Sequence, residues 1–213
     1  MSNYQETFDT WNKVAVLYQE KFMDLDLYNQ SYDAICEALP NQNAKVLDIG
    51  CGPGNITRYL LSKRPAFKIL GIDIAPNMIA LAKQNNPTAS FEIVDTRALH
   101  TLQQQFDAII AGFCIPYLST PDCEKLIADS STHLHAEGIL YLSFVEGDPK
   151  QSGFMAGSTG DRTYFYYHRT ESITAILSLN GFETFKTYQI PFKKSNGSTE
   201  IHTIILSRKI NHQ

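Results

Sequence analysis

Basic residues are scarce in this chain and never clustered: lysine and arginine number 18 of 213, against 22 acidic residues, for a formal net charge of −4. Nucleic-acid backbones and anionic lipid surfaces are held by dense runs of Lys and Arg. No nucleic acid and no membrane is therefore the expected partner. Cysteine is sparse too. Cys36, Cys51, Cys114 and Cys123 form no C-x-x-C pair. A zinc site or a disulfide framework is not expected from them, and reduced thiols of a cytoplasmic protein are. Long apolar runs are missing: the longest, residues 108–118, is about half of what a bilayer-crossing helix needs. The opening residues MSNYQETFDTWNK hold no apolar signal core, which adds to the cytoplasmic expectation.

What is present is the composition of a globular domain, with 43% hydrophobic and 19% charged residues. The length suits one α/β domain and is short for two. No internal repeat or low-complexity stretch interrupts it. Amphipathic spacing predicts helices over 5–22, with Ala15, Leu17, Tyr18 and Phe22 on one face, and over 28–39, closed by Pro40. Five short β-branched apolar runs follow at 45–49, 68–74, 90–94, 107–111 and 139–144. Their continuous apolar character suits strands buried on both faces. Helical spacing at 55–62, 77–84 and 121–135, with a short piece near Leu102, separates them. Strand and helix in alternation imply right-handed crossovers and a parallel sheet.

The last third breaks the pattern. Residues 145–170 read as a long polar and aromatic connection, and Thr170 as the cap of a helix over 171–179 that stops at Asn180-Gly181. Strands are predicted at 182–190 and 202–208, joined through the turn-rich Lys193-Lys194-Ser195-Asn196-Gly197. Two strands joined without a helix pair antiparallel.

Chemistry concentrates at Val46-Leu47-Asp48-Ile49-Gly50-Cys51-Gly52-Pro53-Gly54-Asn55, which leaves a buried strand and enters a helix. The three glycines allow a tight turn and close approach of a ligand to bare backbone. In an open parallel sheet, ligands bind at the strand C-termini, where helix N-termini offer unpaired N–H groups. The spacing is G-x-G-x-G, not the G-x-G-x-x-G of dinucleotide sites, and Pro53 removes a donor. Asp73 ends the second strand, about twenty residues on, where an acid accepts from a ribose diol and repels a ribose phosphate. Asp95 ends the third strand, placed to accept from an exocyclic amine. The structural alternatives are a ligand-free turn for the loop and helix N-caps for the two acids.

The runs VLDIGCGPGNIT, GIDIAPNMI, VDTRAL and FDAIIAGFCIPYL, in that order, resemble class I S-adenosylmethionine-dependent methyltransferases, over about two thirds of the chain. The resemblance implies a doubly wound α/β fold, Rossmann-like, whose mostly parallel seven-stranded sheet has an antiparallel last strand, with N-terminal helices as a lid. It divides one methyltransferase domain, 1–213, into a helical cap (1–44), a cofactor core (45–144) and a substrate-side loop, helix and strand pair (145–213). It implies S-adenosyl-L-methionine as cofactor and S-adenosyl-L-homocysteine as product. Asp48, Gly50, Gly52 and Gly54 would hold the methionine part and Asp73 the ribose hydroxyls. Ile74 and Met78 would pack on the adenine, and Asp95 with Thr96 would read its edge. Ala111 and Phe113, with Gly112 between them, would border the methyl group.

Gly112-Phe113-Cys114-Ile115-Pro116-Tyr117 departs from the polar tetrad that some subgroups of the family carry after strand four, which counts against amide or adenine nitrogen as the acceptor. A small-molecule acceptor is expected, and a monomer or homodimer. Methyl transfer needs alignment first, and a base only for a protonated acceptor. His168, Tyr18 and Tyr117 are the catalytic candidates. His168 reads more readily as a packing residue, and His133 and His135 as helix-end cations. The aromatic run 163–169 and the N-terminal Trp11, Tyr18 and Phe22 are expected to wall the acceptor pocket from opposite sides. A non-catalytic S-adenosylmethionine binder and a nicotinamide-dependent oxidoreductase are the competing functions. The glycine spacing and terminal strand pair count against the oxidoreductase, and the lack of an acidic cluster against aminopropyl transfer.

Overall fold

The structure, a computed structural model, describes residues 3–157, 159–194 and 197–210. Its centre is a seven-stranded sheet in the order β3-β2-β1-β4-β5-β9-β8. The strands are β1 (Lys45–Ile49), β2 (Lys68–Asp73), β3 (Ser90–Ile93), β4 (Phe106–Ala111), β5 (Leu134–Val145), β8 (Phe182–Lys193) and β9 (Thr199–Lys209). The first five run parallel, and β9 is antiparallel to both neighbours. The fold implied by the resemblance is the fold observed. Ser195 and Asn196 of the expected turn lie outside the described residues.

The central strands face helices on both sides. Leu47, Ile49, Ile72, Ile109 and Leu142 point to the face closed by Leu126 and Ile127 of α6 (Thr120–His133) and Ile173 and Leu177 of α7 (Thr170–Leu179). The alternate residues Val46, Ile69, Ala108, Ile110 and Tyr141 meet Ile35 of α3 (Asn29–Ala38) and Ile56 and Leu60 of α4 (Asn55–Lys63). Every fully buried side chain of this kind contributes about 1.5–3 kcal/mol. That double burial is why the strands read as unbroken apolar runs. At the sheet's other end, Ile79 and Ala82 of α5 (Pro76–Asn85) pack on Phe91 and Cys51.

Several expected elements change on folding. The helix predicted over 5–22 forms as α1 (Asn3–Lys13) and α2 (Ala15–Phe22), parted at Val14, whose φ of −93° and ψ of 12° leave the helical region; a β-branched residue is a weak helix former there. The expected loop 145–170 contains β6 (Gly153–Ala156) and β7 (Arg162–Phe165), an antiparallel pair outside the main sheet. Thr170 does not cap α7. It is the first helical residue, Arg169 stands at the cap without a side-chain bond, and the Thr170 hydroxyl is buried without a partner. β5 begins at Leu134, five residues before the expected start, because a register shift opposite Phe106 and a positive φ of 61° at Glu137 carry polar residues into the strand. Among the described residues no helix is long and apolar enough to cross a membrane.

The chain winds outward from β1 to β3, then returns to β4 on the other side of β1. The crevice at the carboxyl ends of β1 and β4 is the place where such a sheet binds a ligand.

Candidate functional site

A cavity of about 360 Å³ opens at this crevice, within the range of small-molecule sites. The glycine loop forms one wall. Gly50, Gly52 and Gly54 all take left-handed backbone, with φ of 61°, 54° and 81°, which side-chain-bearing residues adopt at a cost. Two of them are also crowded. A Cβ on Gly50 would stand 2.8 Å from the Cβ of Cys114, and one on Gly54 2.4 Å from Nδ2 of Asn86. Asn86 donates to the Gly54 carbonyl at 3.0 Å, tying the start of α4 to the end of α5.

Asp73 is locked to this loop. Its Oδ2 accepts from Gly52 N–H at 3.0 Å and its Oδ1 from Ala75 N–H at 2.9 Å. Burial raises its pKa, against those backbone bonds, which lower it. Asp48 lies beneath the loop, on the sheet face that meets α4, and Thr57 Oγ1 donates to its Oδ2 at 2.7 Å. Its Oδ1 is buried with no partner, and burial pushes its pKa up to about 7. Asp95 turns its carboxylate to Arg97, accepting from the backbone N–H and from Nε at 2.9 and 3.0 Å. The Arg97 guanidinium lies 4.1 Å from the centre of the Tyr4 ring. Sequence reading missed this partner, although a carboxylate two residues before an arginine is a local signal for it.

Gly50, Gly52, Asp73, Ile74, Met78, Asp95, Thr96 and Phe113 share the cavity wall. Asp48, Gly54 and Ala111 are not on it; they form the layer behind, with Ala111 fully buried at the end of β4. Phe113 has a φ of 54°, rare for a residue with a side chain. Its N–H donates to Ser143 Oγ at 2.8 Å, which holds this conformation in place.

The N-terminal helices close the cavity on one side through Phe8, Trp11, Tyr18 and Phe22. Trp11 meets Tyr18 and Tyr117 edge-on, with centroids 5.5 and 5.2 Å apart. α1 is held to the β6–β7 hairpin: Thr7 Oγ1 accepts from Tyr164 N–H at 2.9 Å, and Thr10 Oγ1 donates to the Arg162 carbonyl at 2.7 Å. The hairpin contributes Met155 and Phe165 to the wall.

Of the catalytic candidates, Tyr18 and Tyr117 line the cavity and His168 does not. His168 is buried, its Nε2 directed to the carbonyls of Ile115 and Leu118 at 3.3 and 3.2 Å, and burial lowers its pKa. It braces the segment after β4. His133 likewise meets the Asp129 and Leu102 carbonyls, at 2.8 and 3.1 Å. Sequence reading missed Tyr28, Phe192, Lys194, Glu200 and His202, which all line the cavity. They come from the first residue before α3 and from the terminal strand pair, segments without a motif.

Residues 46–138 match a family model described as a methyltransferase domain. Trans-aconitate 2-methyltransferase of Variovorax paradoxus (strain S110) is 36% identical over 99 residues, which are 46% of this chain and 38% of that protein. The enzyme of that name from Methylobacterium nodulans is 44% identical over 134 residues, 56% of this chain and 51% of that one. The chain thus spans about half the length, or less, of these curated relatives. Among solved structures, magnesium protoporphyrin IX methyltransferase (ChlM) from Synechocystis PCC 6803 with bound SAH superposes with a TM-score of 0.74 at 18% identity, covering 98% of this chain and 100% of that one. The 1,6-didemethyltoxoflavin-N1-methyltransferase of Burkholderia thailandensis gives 0.72 at 16% identity, covering 97% and 88%. Residues 46–138 thus resemble a methyltransferase domain, and the seven-stranded fold of the whole chain is the one these solved methyltransferases share.

Proposed function

We propose that this chain binds S-adenosylmethionine in the cavity at the β1–β4 crevice and transfers its methyl group to a small-molecule acceptor. One observation carries the reading: the left-handed loop Gly50–Gly54 is hydrogen-bonded to Asp73, and both stand on one wall with Ile74, Met78, Asp95 and Thr96. A Cβ on Gly52 would approach Tyr18 at 3.7 Å, so the bare backbone leaves room there for a ligand under the N-terminal helices.

The residues fit the cofactor's parts. Gly50 and Gly52 offer backbone to the methionine end, with Asp48 and Gly54 supporting the turn from behind. Asp73 accepts from the ribose hydroxyls with the lone pairs left by Gly52 and Ala75. Ile74 and Met78 pack on the adenine, and Thr96 with Asp95 reads its edge. Phe113 borders the reacting end, with Ala111 behind it. When bound, the sulfonium supplies an activated methyl carbon, so the chain's part is alignment and exclusion of water. The aromatic side chains of α1, α2 and the β6–β7 hairpin supply that dry enclosure.

The acceptor named for the relatives, trans-aconitate, is a tricarboxylate. Among the described residues on this wall the one Lys or Arg is Lys194, and it is paired with Glu200 at 2.6 Å. That charge pattern supports a less charged acceptor here. Calorimetric titration with S-adenosylmethionine, S-adenosylhomocysteine and NAD tests the reading, followed by release of S-adenosylhomocysteine against a metabolite library that includes trans-aconitate. Saturable binding of the first two and turnover with a small molecule are expected. Binding of NAD alone, or of none of the three, refutes the proposal; binding without turnover on any acceptor leaves a non-catalytic binder.

A further inference from the structure

The cavity wall next to Phe113 carries a polar pair to which the proposed cofactor contacts assign no role. The Tyr28 hydroxyl and Nδ1 of His202 lie 2.7 Å apart, and both residues are 7% exposed. His202 stacks flat on Phe192, with centroids 4.6 Å apart and planes 12° apart, and meets Phe113 edge-on at 5.0 Å. Tyr28 meets the same Phe113 ring at 5.0 Å. All four line the cavity. The β9 register pins His202 between Val145 of β5 and Ile190 of β8, so the ring stands on a rigid element.

Nδ1 is occupied by Tyr28, and among the described residues Nε2 makes no hydrogen bond. A nearly buried imidazole with one nitrogen anchored and the other open to a cavity is an arrangement for a bound partner. The same cavity is also lined by the aromatic Trp11, Tyr117 and Phe165. Its ion pair, Lys194–Glu200, is internally neutral.

On the methyl-transfer reading above, we infer that the Tyr28–His202 pair docks the acceptor and takes its proton, and that the acceptor is a flat, uncharged molecule with a ring hydroxyl or ring N–H. In the tautomer that serves this, Nδ1–H donates to the Tyr28 oxygen and Nε2 keeps its lone pair. The acceptor's O–H or N–H donates to Nε2. Its oxygen or nitrogen forms the new bond to the methyl carbon as the carbon–sulfur bond breaks, and that electron pair stays on sulfur. The proton passes to Nε2, giving an imidazolium that returns it to solvent after product leaves. Burial supports the neutral starting state: it pushes the His202 pKa down to about 4, with Glu200 acting upward and Lys194 downward.

The test uses the full chain with isotope-labelled histidine, saturated with S-adenosylhomocysteine and titrated with phenol, naphthol and trans-aconitate. The His202 ring resonances should shift saturably with the phenols and not with trans-aconitate. In turnover, His202→Gln should lower kcat for a phenolic acceptor by roughly 100-fold, with S-adenosylmethionine affinity kept. Tyr28→Phe should give a smaller loss, also in kcat and not in KM. Should His202→Gln not fold, Tyr28→Phe, which preserves ring and volume, carries the turnover test. Resonances that ignore every phenol overturn the inference, as do wild-type kcat values in the two variants or a preference for trans-aconitate. Failure to bind S-adenosylmethionine at all defeats the functional reading instead, and is seen in the calorimetry before any phenol is added.

Discussion

Thr57 Oγ1 holds Asp48 Oδ2 at 2.7 Å, across the contact between α4 and β1, while the other oxygen of the same carboxylate is buried without a partner. One hydrogen bond does not replace the hydration lost by a buried carboxylate. Asp48 is therefore raised from its usual 3.8 to about 7, chiefly by burial, with the Thr57 bond opposing and Asp73 adding to it.

The consequence for stability has a definite sign. Between about pH 4 and pH 7 the folded chain holds a proton on Asp48 that the unfolded chain has released. Stability should fall as pH rises through that window, by up to ~1.4 kcal/mol per pH unit from this group. Asp48→Asn should flatten the fall. Urea denaturation of both proteins across the window measures it, and parallel pH profiles would exclude a buried ionisable Asp48.

Gly50 and Gly52 separate conformational cost from steric cost. Both take positive φ, so alanine at either should cost ~1–2 kcal/mol. At Gly50 the new methyl also meets the Cys114 Cβ at 2.8 Å, whereas at Gly52 the contact with Tyr18 is an ordinary 3.7 Å. Gly50→Ala should thus be the less stable variant in thermal unfolding. Gly52→Ala should fold and instead lose S-adenosylmethionine affinity, roughly tenfold or more, ~1.4 kcal/mol, because its methyl occupies the space between the loop and α2.

Much of this site was legible because its chemistry is local in sequence. The β1–α4 turn needs glycine where φ is positive, and Asp73 closes β2 next to it, so Gly50, Gly52 and Asp73 announce themselves. The β-branched runs announce the sheet for the same local reason. His202 and Tyr28 did not. They lie 174 residues apart, each in an unremarkable segment, and only the return of β9 between β5 and β8 brings them together. Asp48 was legible as part of the motif but not as a residue behind the wall, since that depends on which face of β1 it takes. The β6–β7 pair was missed because Gly153-Phe154-Met155-Ala156 and Arg162-Thr163-Tyr164-Phe165 do not alternate apolar with polar residues. The positive φ of Phe113 has no sequence signal in a phenylalanine.

That Phe113 conformation depends on Ser143. The serine sits in β5, fully buried, and its Oγ is the acceptor for the Phe113 N–H at 2.8 Å. Ser143→Ala leaves that donor unsatisfied in a partly buried site, at a cost of about 1–3 kcal/mol. Denaturant unfolding should show the loss. Ligand affinity should drop with it, since Phe113 lines the cavity and packs on Tyr28 and His202. A variant with wild-type stability would mean that Phe113 holds its backbone without this bond.

The N-terminal helices offer the most direct test of how the cavity is closed. Trp11 is the chain's one tryptophan and lines the cavity between Tyr18 and Tyr117. Binding of S-adenosylhomocysteine should change its fluorescence saturably, and Trp11→Phe should abolish the signal without unfolding the protein. α1 and α2 meet the body through the hairpin bonds, the bonds of Asn12 and Gln19 to Asn77 and Asn85 of α5, the contacts of Tyr4 with Asp122 and Arg97, and a small cluster of Ala15 with Ala75 and Met78; Tyr4 alone is partly buried against a large cluster that flanks the sheet. Deleting residues 1–20 therefore removes little of the core. The truncated chain should keep the circular dichroism of the folded sheet and unfold cooperatively, while calorimetry shows S-adenosylmethionine binding weakened by at least roughly tenfold. Unchanged affinity would show that the glycine loop and Asp73 hold the ligand without an enclosing wall; loss of the folded sheet would show that the cap is part of the core.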